Sequence, residues 1–321
     1  MNAVGLAVAL SIPAALVPHL LPLHRASPVT GAVVWMLSLA LRALVLVFLT
    51  TLIFSQLAYS HPVEHALAWC WHEVLPDVPS LLGFAEDPVA HAAVAVPVVV
   101  VAVALIARTV RLVRDWAGLR RRLAGHAETG PAGATLIADD DVVVAVTRVG
   151  RGRVLVSNRA LEMMDPEELA AGVAHEVAHI RRRHRPVLLS ASILATIGRP
   201  LPGTRMAERE LGFQLERDAD AYVVDHLHDP LSLASAICKV AGANAPRAAT
   251  SLGGSGVVTR RLVELVDGRG IRSKWVERGA RMLAVMSAAL LVAVSVGGPA
   301  WAVKSSAGDE HATATHECSH N

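Results

Sequence analysis

Residues 165–180 of this chain read DPEELAAGVAHEVAHI, and this stretch decides the expected fold. An aspartate followed by proline and two glutamates is typical of a helix N-terminus, with an N-cap residue and a proline at the first helical position. Apolar residues with helical spacing follow: Leu169, Val173, Val177 and Ile180. On this helix His175 and His179 lie one turn apart on the same face, with Glu176 beside the first. The segment therefore predicts a helix that presents two imidazoles and a carboxylate together.

Two histidines at this spacing with a glutamate after the first form an HExxH motif, the usual arrangement for a catalytic zinc ion. Such a site needs a third protein ligand. Residues 208–225 look helical and contain Glu216 and Asp220 one turn apart. We expect His175, His179 and Glu216 to bind one Zn²⁺, and Asp220 to orient a ligand imidazole. A solvated acidic face is the alternative for residues 216–220, and the 175–179 motif favours the ligand interpretation.

The chemistry expected of this set is metal-assisted peptide hydrolysis. Glu176 is the expected catalytic general base, because it lies next to a ligand without being one. A further donor must stabilise the oxyanion. Nearness in sequence suggests Tyr222, His226 or His228, without a choice among them.

The composition indicates an integral membrane protein, since 53% of the residues are hydrophobic, only 4% are aromatic and the mean hydropathy is +0.44. A membrane-spanning helix needs about 20 apolar residues. Four predicted spans meet this length: 3–23, 31–57, 88–107 and 282–303. The first could be a cleaved signal peptide, but it lacks a basic N-terminal region and is expected to be an uncleaved span.

Basic residues predict the orientation, because loops rich in lysine and arginine stay in the cytoplasm. Residues 58–107 contain neither, whereas residues 108–278 hold 26 of the 30 basic residues. The expected fold is thus a mostly α membrane protein, with a cytoplasmic α+β zinc protease domain between its third and fourth spans. The predicted parts are 1–107 with three spans and an extracytoplasmic loop at about 58–87, the domain 108–278, the span 279–303, and an extracytoplasmic tail 304–321. Both termini are expected outside the cytoplasm.

Charged residues near the spans support further expectations. Arg42 lies inside the second predicted span, where a charge is costly, so we expect it to have a partner in the bundle. The arginines between 108 and 122 are typical of an anchor on lipid headgroups, and no direct binding of nucleic acid is expected. The lipid bilayer is the expected partner, and a homodimer is left open.

Local patterns around the domain add three expectations. Residues 142–149 and 153–157 are rich in β-branched residues and predict a hairpin that aligns an extended substrate across the metal. Residues 186–198 are apolar but too short to cross a membrane alone, so they are expected to continue the catalytic helix. The tail contains His311, His316, Cys318 and His320. It is expected to be disordered, with metal binding as the alternative.

These motifs resemble those of the membrane-embedded gluzincin peptidases of the BlaR and MecR kind. The resemblance rests on residues 175–179, the strand-like residues 153–157, the lead-in at 165–169, and the pair Glu216 and Asp220. It covers about residues 1–303 and implies a gluzincin-type, zinc-dependent endopeptidase in signal transduction. Its implied substrate is a cytoplasmic transcriptional repressor of the BlaI and MecI kind. Those sensors carry a penicillin-binding domain after the last span, which is absent from the 18 residues after Val303, so sensing of β-lactams is not carried over.

Two alternative functions remain. The first is quality control of membrane proteins by an HtpX-like protease, which shares the helix and third-ligand motifs. The second is a non-enzymatic membrane receptor or metal-binding protein with a degenerate protease domain. The intact HExxH motif, Glu216 and Asp220 argue against the second.

Overall fold

The computed structural model describes residues 3–58, parts of 99–118, the segments 128–129, 135–137 and 144–146, and residues 154–226, 229–243, 254–267 and 273–317. The helices of these parts are α1 (Ala3–Leu16), α2 (Pro28–Ala58), α3 (Asn158–Met163), α4 (Pro166–Arg181), α5 (His184–Ile197), α6 (Thr204–Asp225), α7 (Pro230–Ala243), α8 (Gly254–Val266) and α9 (Lys274–Glu317). Short 3₁₀ turns cover Val17–His19 and Leu23–Arg25, and residues within 99–118 are also helical. The strands are β1 (Glu128–Thr129), β2 (Thr135–Ile137), β3 (Val144–Val146) and β4 (Val154–Ser157). The described residues are therefore mainly helical, as predicted.

Helix α4 begins where the sequence predicts, because its N-terminal groups are satisfied by local side chains. Asp165 Oδ1 accepts hydrogen bonds from the backbone N–H groups of Glu167 and Glu168, at 3.0 and 2.9 Å. Glu168 Oε2 accepts from the backbone N–H of Asp165 at 2.9 Å, which completes a capping box. The buried Glu168 carboxylate also binds Lys239 and Ser235 of α7. The cap therefore fixes both the start of α4 and its contact with α7.

The strands form one sheet in the order β1-β2-β4-β3. The predicted hairpin is confirmed, because β3 and β4 are antiparallel with Val144 opposite Val156. The turn residues 150–152 lie outside the described part. All four residues of β4 are buried, and β2 runs parallel to β4 on its other side. Helix α4 packs on β3, since a Cβ placed on Gly172 would lie 3.7 Å from Val144 Cγ1.

Helices α1, α2 and α9 pack together, and α2 and α9 begin side by side. Glu277 in the first turn of α9 accepts hydrogen bonds from the Ser27 backbone N–H at 2.8 Å and the Thr30 hydroxyl at 2.7 Å. Glu277 thus caps the N-terminus of α2. The two helices therefore start at the same level and point the same way.

Helix α2 also packs closely against α6, the helix that carries Glu216. A Cβ placed on Gly31 would lie 2.7 Å from the side chain of Gln214, so only glycine allows this approach without a shift. One hydrophobic cluster joins residues of α2, α5, α6 and α9: its buried members include Trp35, Leu39, Ala191, Ala195, Ala207, Leu211, Leu215 and Ala280. The helices predicted to span the membrane and the helices predicted to form the protease domain therefore share one hydrophobic core. The predicted boundaries between the domains stay predictions.

Two of the described helices are long and apolar enough to cross a membrane, at Pro28–Thr50 and Lys274–Ser295. They overlap the second and fourth predicted spans. The first predicted span is interrupted: α1 ends at Leu16 before Pro18 and Pro22, and its 14 residues extend only about 21 Å, less than the roughly 30 Å of a hydrocarbon core. The third, 88–107, lies mostly outside the described residues. Four spans are therefore not confirmed.

Arg42 has the partners predicted for it. Its side chain is 2% exposed, and its Nη2 lies 2.8 Å from His19 Nε2. It also binds the Ser38 hydroxyl, while its Nε donates to the Pro202 carbonyl at 3.4 Å. The next residue, Gly203, has a φ of +80°, and a Cβ there would lie 3.0 Å from the His19 ring. Arg42 thus ties α2 to the turn before α6.

Two sequence expectations are wrong. Residues 186–198 do not continue the catalytic helix, since α4 ends at Arg181 and a new helix begins at His184 after a left-handed Arg183 with φ of 53°. The tail was expected to be disordered, but α9 continues to Glu317. Metal binding by His311 and His316 stays a prediction, and Cys318 and His320 lie outside the described residues.

Candidate metal centre

Helices α4 and α6 bring the three predicted ligands together. The helices approach closely because the buried residues between them include Ala178 and Ala219, both with no exposed surface. His175, His179 and Glu216 each place one ligand atom within 4.8 Å of the others. The two imidazoles come from one face of α4, as the i, i+4 spacing predicts.

The separations of the ligand atoms fit a tetrahedral ion. His175 Nε2 lies 3.2 Å from His179 Nε2 and 3.3 Å from Glu216 Oε2. His179 Nε2 lies 3.6 Å from Glu216 Oε1. Ligands about 2.0–2.1 Å from a tetrahedral zinc lie roughly 3.3 Å from each other. The donor set and its geometry therefore fit a zinc ion.

Asp220 lies behind His175, and its predicted role in orienting this imidazole stays a prediction. Its Oδ1 is 3.0 Å from His175 Nδ1, the ring nitrogen that faces away from the other ligands. A carboxylate in this position fixes the tautomer and orientation of the imidazole. Both side chains are buried.

Arg261 of α8 aligns the two acidic side chains, a contact that the sequence did not predict. It donates to Asp220 Oδ2 from Nε at 2.9 Å and to Oδ1 from Nη2 at 2.7 Å. Its Nη1 lies 2.9 Å from Glu216 Oε2. Planar, two-pronged pairing of this kind holds a carboxylate in one orientation.

Replacing Arg261 with methionine is expected to weaken zinc binding by roughly 10- to 100-fold, because Glu216 and Asp220 lose the group that orients them. Arg260→Met is the matched control, since the neighbouring Arg260 pairs with the distant Glu210 and stacks on Phe213 instead. The measurement is the zinc dissociation constant by chelator competition. If both variants lost the same amount of zinc affinity, α8 would affect the metal centre only through general packing.

A second set of polar side chains lies behind His179. His179 Nδ1 is 2.9 Å from His184 Nδ1, and His184 Nε2 is 3.0 Å from Asp218 Oδ2. Arg182 donates to the other oxygen of Asp218 at 2.6 Å. Sequence reasoning missed His184 and Asp218. The available signals were a third histidine five residues after the motif and a second aspartate between Glu216 and Asp220.

The pKa values of His175, His179 and Glu216 are strongly shifted from their ordinary values. Burial lowers the pKa of His175, but its contacts with Asp220 and Glu216 outweigh burial and raise the pKa to about 9. Burial lowers the pKa of His179 to about 4. Burial raises the pKa of Glu216, but His175 and Arg261 outweigh it and lower the pKa to about 2. An ionised Glu216 and an unprotonated His179 are the forms in which these side chains can bind a cation.

Glu176 is half-buried and lies beside His175 on α4. Burial lowers the pKa of Arg261, but the charges of Asp220, Glu216 and Glu176 outweigh it and raise that pKa. The carboxylate of Glu176 is therefore near enough to act on the same guanidinium as Glu216.

Tyr222 and His226 have other surroundings. The Tyr222 hydroxyl accepts a hydrogen bond from Arg181 at 2.7 Å, and its ring stacks on His226 with 3.8 Å between centroids. Both line an apolar groove of about 740 Å³, together with Val173 and Val177 on the side of α4 away from the ligands. His228 lies outside the described residues. Oxyanion stabilisation by any of the three stays a prediction.

A helical HExxH segment that faces a glutamate from a second helix is the arrangement found in zinc metallopeptidases. The comparison with family models agrees: the model described as peptidase family M48 matches residues 121–215. Over these residues the chain is similar to a metallopeptidase family whose members are metal-dependent, typically with zinc. The match ends immediately before Glu216, and it does not bear on the more specific resemblance to BlaR and MecR. No curated protein and no solved structure matches the chain.

Proposed function

We propose that the protein is a membrane-embedded, zinc-dependent endopeptidase that cleaves a protein substrate on the cytoplasmic side of the membrane. The observation that carries this proposal is the spacing of the His175, His179 and Glu216 ligand atoms, at 3.2, 3.3 and 3.6 Å, with Glu176 next to His175 in the same helix. A receptor or metal carrier with a lapsed protease domain has no need of the additional catalytic glutamate.

Each residue of the metal centre has a separate role in the proposed peptide hydrolysis. His175, His179 and Glu216 would hold the metal. When bound, zinc supplies Lewis-acid activation of water and of the scissile carbonyl. Glu176 takes a proton from the attacking water and delivers it to the leaving amine nitrogen. Asp220 keeps the Nδ1 proton of His175 in place, so that Nε2 offers its lone pair to the metal.

The position of β3 supports binding of the substrate as an added strand. Among the described strands β3 pairs only with β4, so its other edge has no partner strand in this part of the chain. The strand packs on α4 at Gly172, one turn before His175 and Glu176. An extended polypeptide on this edge would have its main chain held by backbone hydrogen bonds beside the metal.

The arrangement of α2 and α9 supports the membrane placement. Both are apolar enough to span, and the Glu277 cap places their N-termini together. Two spans that start together and run in parallel must enter the membrane from the same side. The basic residues between 108 and 278 favour the cytoplasm for that side.

Removal of the metal tests the proposed activity. The purified chain in detergent is expected to cleave an unfolded reporter protein, to lose this activity with a zinc chelator, and to regain it with one equivalent of zinc. Cleavage products measured by mass spectrometry separate endopeptidase from exopeptidase activity. Cleavage that persists after complete removal of zinc would contradict the proposal.

For the substrate we propose a cytoplasmic transcriptional repressor of the BlaI and MecI kind, cleaved in regulated signal transduction. The support is the resemblance of the motifs and the predicted orientation. Quality control of membrane proteins is the competing role, and the two roles differ in which proteins accumulate when catalysis is lost.

A further inference from the structure

The second histidine of the motif, His179, is connected to a buried hydrogen-bonded chain that the proposed catalytic steps do not use. The chain runs from His179 Nδ1 to His184 Nδ1 at 2.9 Å, and from His184 Nε2 to Asp218 Oδ2 at 3.0 Å. His184 is 3% exposed and Asp218 is 6% exposed. Water therefore has little access to these groups, and each must find its partner within the protein.

The backbone adopts an uncommon conformation at the turn that brings His184 to His179. Arg183, between α4 and α5, has a φ of 53°, which places an arginine in the left-handed region that residues with a side chain rarely adopt. The turn ends α4 and starts α5 at His184, whose ring then lies against His179 with 4.9 Å between centroids. A continuous helix would have carried residue 184 onward along α4. The strained turn is thus what brings the third histidine back to the second.

The Asp218 carboxylate sets the donor and acceptor roles in the hydrogen bonds that join His179, His184 and Asp218. An ionised aspartate can only accept hydrogen bonds, and Arg182, which donates to its other oxygen at 2.6 Å, favours the ionised form. His184 therefore donates to Asp218 from Nε2, and in an imidazole with one ring proton Nδ1 is then left as an acceptor. His179 must then donate from Nδ1, which leaves the lone pair of its Nε2 free to face His175 and Glu216.

We propose that His184 and Asp218 are positioning residues that fix the tautomer and ring orientation of His179 for metal binding. The inference rests on the proposed function, since it assigns a role to these residues toward the same metal. His175 has a carboxylate in direct contact, from Asp220, whereas His179 reaches its carboxylate through the imidazole of His184. The two ligand histidines are thus each oriented by an aspartate of α6, one directly and one through His184.

Zinc dissociation constants of the full chain, measured by chelator competition, test this role. Asp218→Asn and His184→Phe are expected to raise the constant by roughly 10- to 100-fold. His184→Asn is expected to recover part of the loss, because its amide oxygen can accept the His179 proton near the position of Nδ1. Glu210→Gln is the matched control: it changes a carboxylate of the same helix that binds Arg260 instead of a group at the metal centre, and it should change the constant by less than about fivefold.

Unchanged zinc affinity in Asp218→Asn and His184→Phe would overturn the inference, as would a Glu210→Gln variant that loses as much zinc affinity as Asp218→Asn. If the variants do not fold, ¹⁵N NMR of histidine-labelled, zinc-loaded wild-type protein decides. The inference requires the Nδ1–H tautomer at His179 and the Nε2–H tautomer at His184, and the reverse pair would overturn it. A wild-type protein that binds no zinc would instead contradict the proposed function itself.

Discussion

Replacement of Glu176 with glutamine is expected to reduce proteolysis by roughly 10²- to 10⁴-fold, the usual contribution of a general base, while zinc stays bound. Glutamine has nearly the same shape but cannot accept the proton of the attacking water. The three ligand atoms belong to other residues, so the metal content should equal that of the wild type. The measurements are the rate of cleavage of an unfolded reporter and the zinc content of the same sample.

Glu167→Gln provides the matched control, because Glu167 lies exposed in the first turn of the same helix. This variant should cleave at the wild-type rate. A Glu176→Gln protein that cleaves normally would remove Glu176 from the mechanism. A variant that loses its zinc as well would make Glu176 a structural residue of the centre.

The same variant separates the two proposed roles in the cell. If the substrate is a repressor, one DNA-binding protein should accumulate in cells that carry Glu176→Gln. If the role is quality control, many misassembled membrane proteins should accumulate. The comparison needs whole-proteome quantification against the Glu167→Gln strain.

Replacement of Glu216 with alanine is expected to have the largest effect on metal binding. It leaves two imidazoles and no third protein ligand, so zinc affinity should fall by more than roughly 100-fold, the upper range for loss of an outer-shell partner. Cleavage should be lost in parallel. Arg261 keeps both of its bonds to Asp220, so the contact between α8 and α6 survives.

Glu210→Ala on the same helix is the control, since Glu210 binds Arg260 away from the ligands. It should bind zinc as the wild type does. Circular dichroism shows whether both variants stay folded. Wild-type zinc affinity in a folded Glu216→Ala protein would remove Glu216 from the coordination shell.

The sequence allowed α4 to be predicted because its signals are local. The Asp165 cap, the proline at the first position and the apolar spacing all fall within one segment, and the structure begins the helix at Pro166. Glu216 and Asp220 could be added because helical periodicity places both on one face of a single helix. The β3–β4 hairpin was likewise visible from two β-branched runs close together.

The remaining parts of the centre depend on contacts between distant segments. Arg261 reaches Asp220 from α8, and no local pattern marks which of many arginines does so. His184 meets His179 only because Arg183 adopts a left-handed turn, whereas the apolar residues 186–198 were expected to continue the catalytic helix. The first predicted span is interrupted at Leu16 because Pro18 and Pro22 follow it. The span was predicted from its number of apolar residues, and such a count does not take prolines into account.

Metal analysis of the purified wild-type chain, combined with X-ray absorption at the zinc edge, tests the central claim most directly. The account predicts one zinc per chain, bound by two imidazoles and a carboxylate oxygen at about 2.0–2.2 Å, with no sulfur neighbour. A chain that binds no zinc under these conditions, or binds it through cysteine sulfur, would contradict the account.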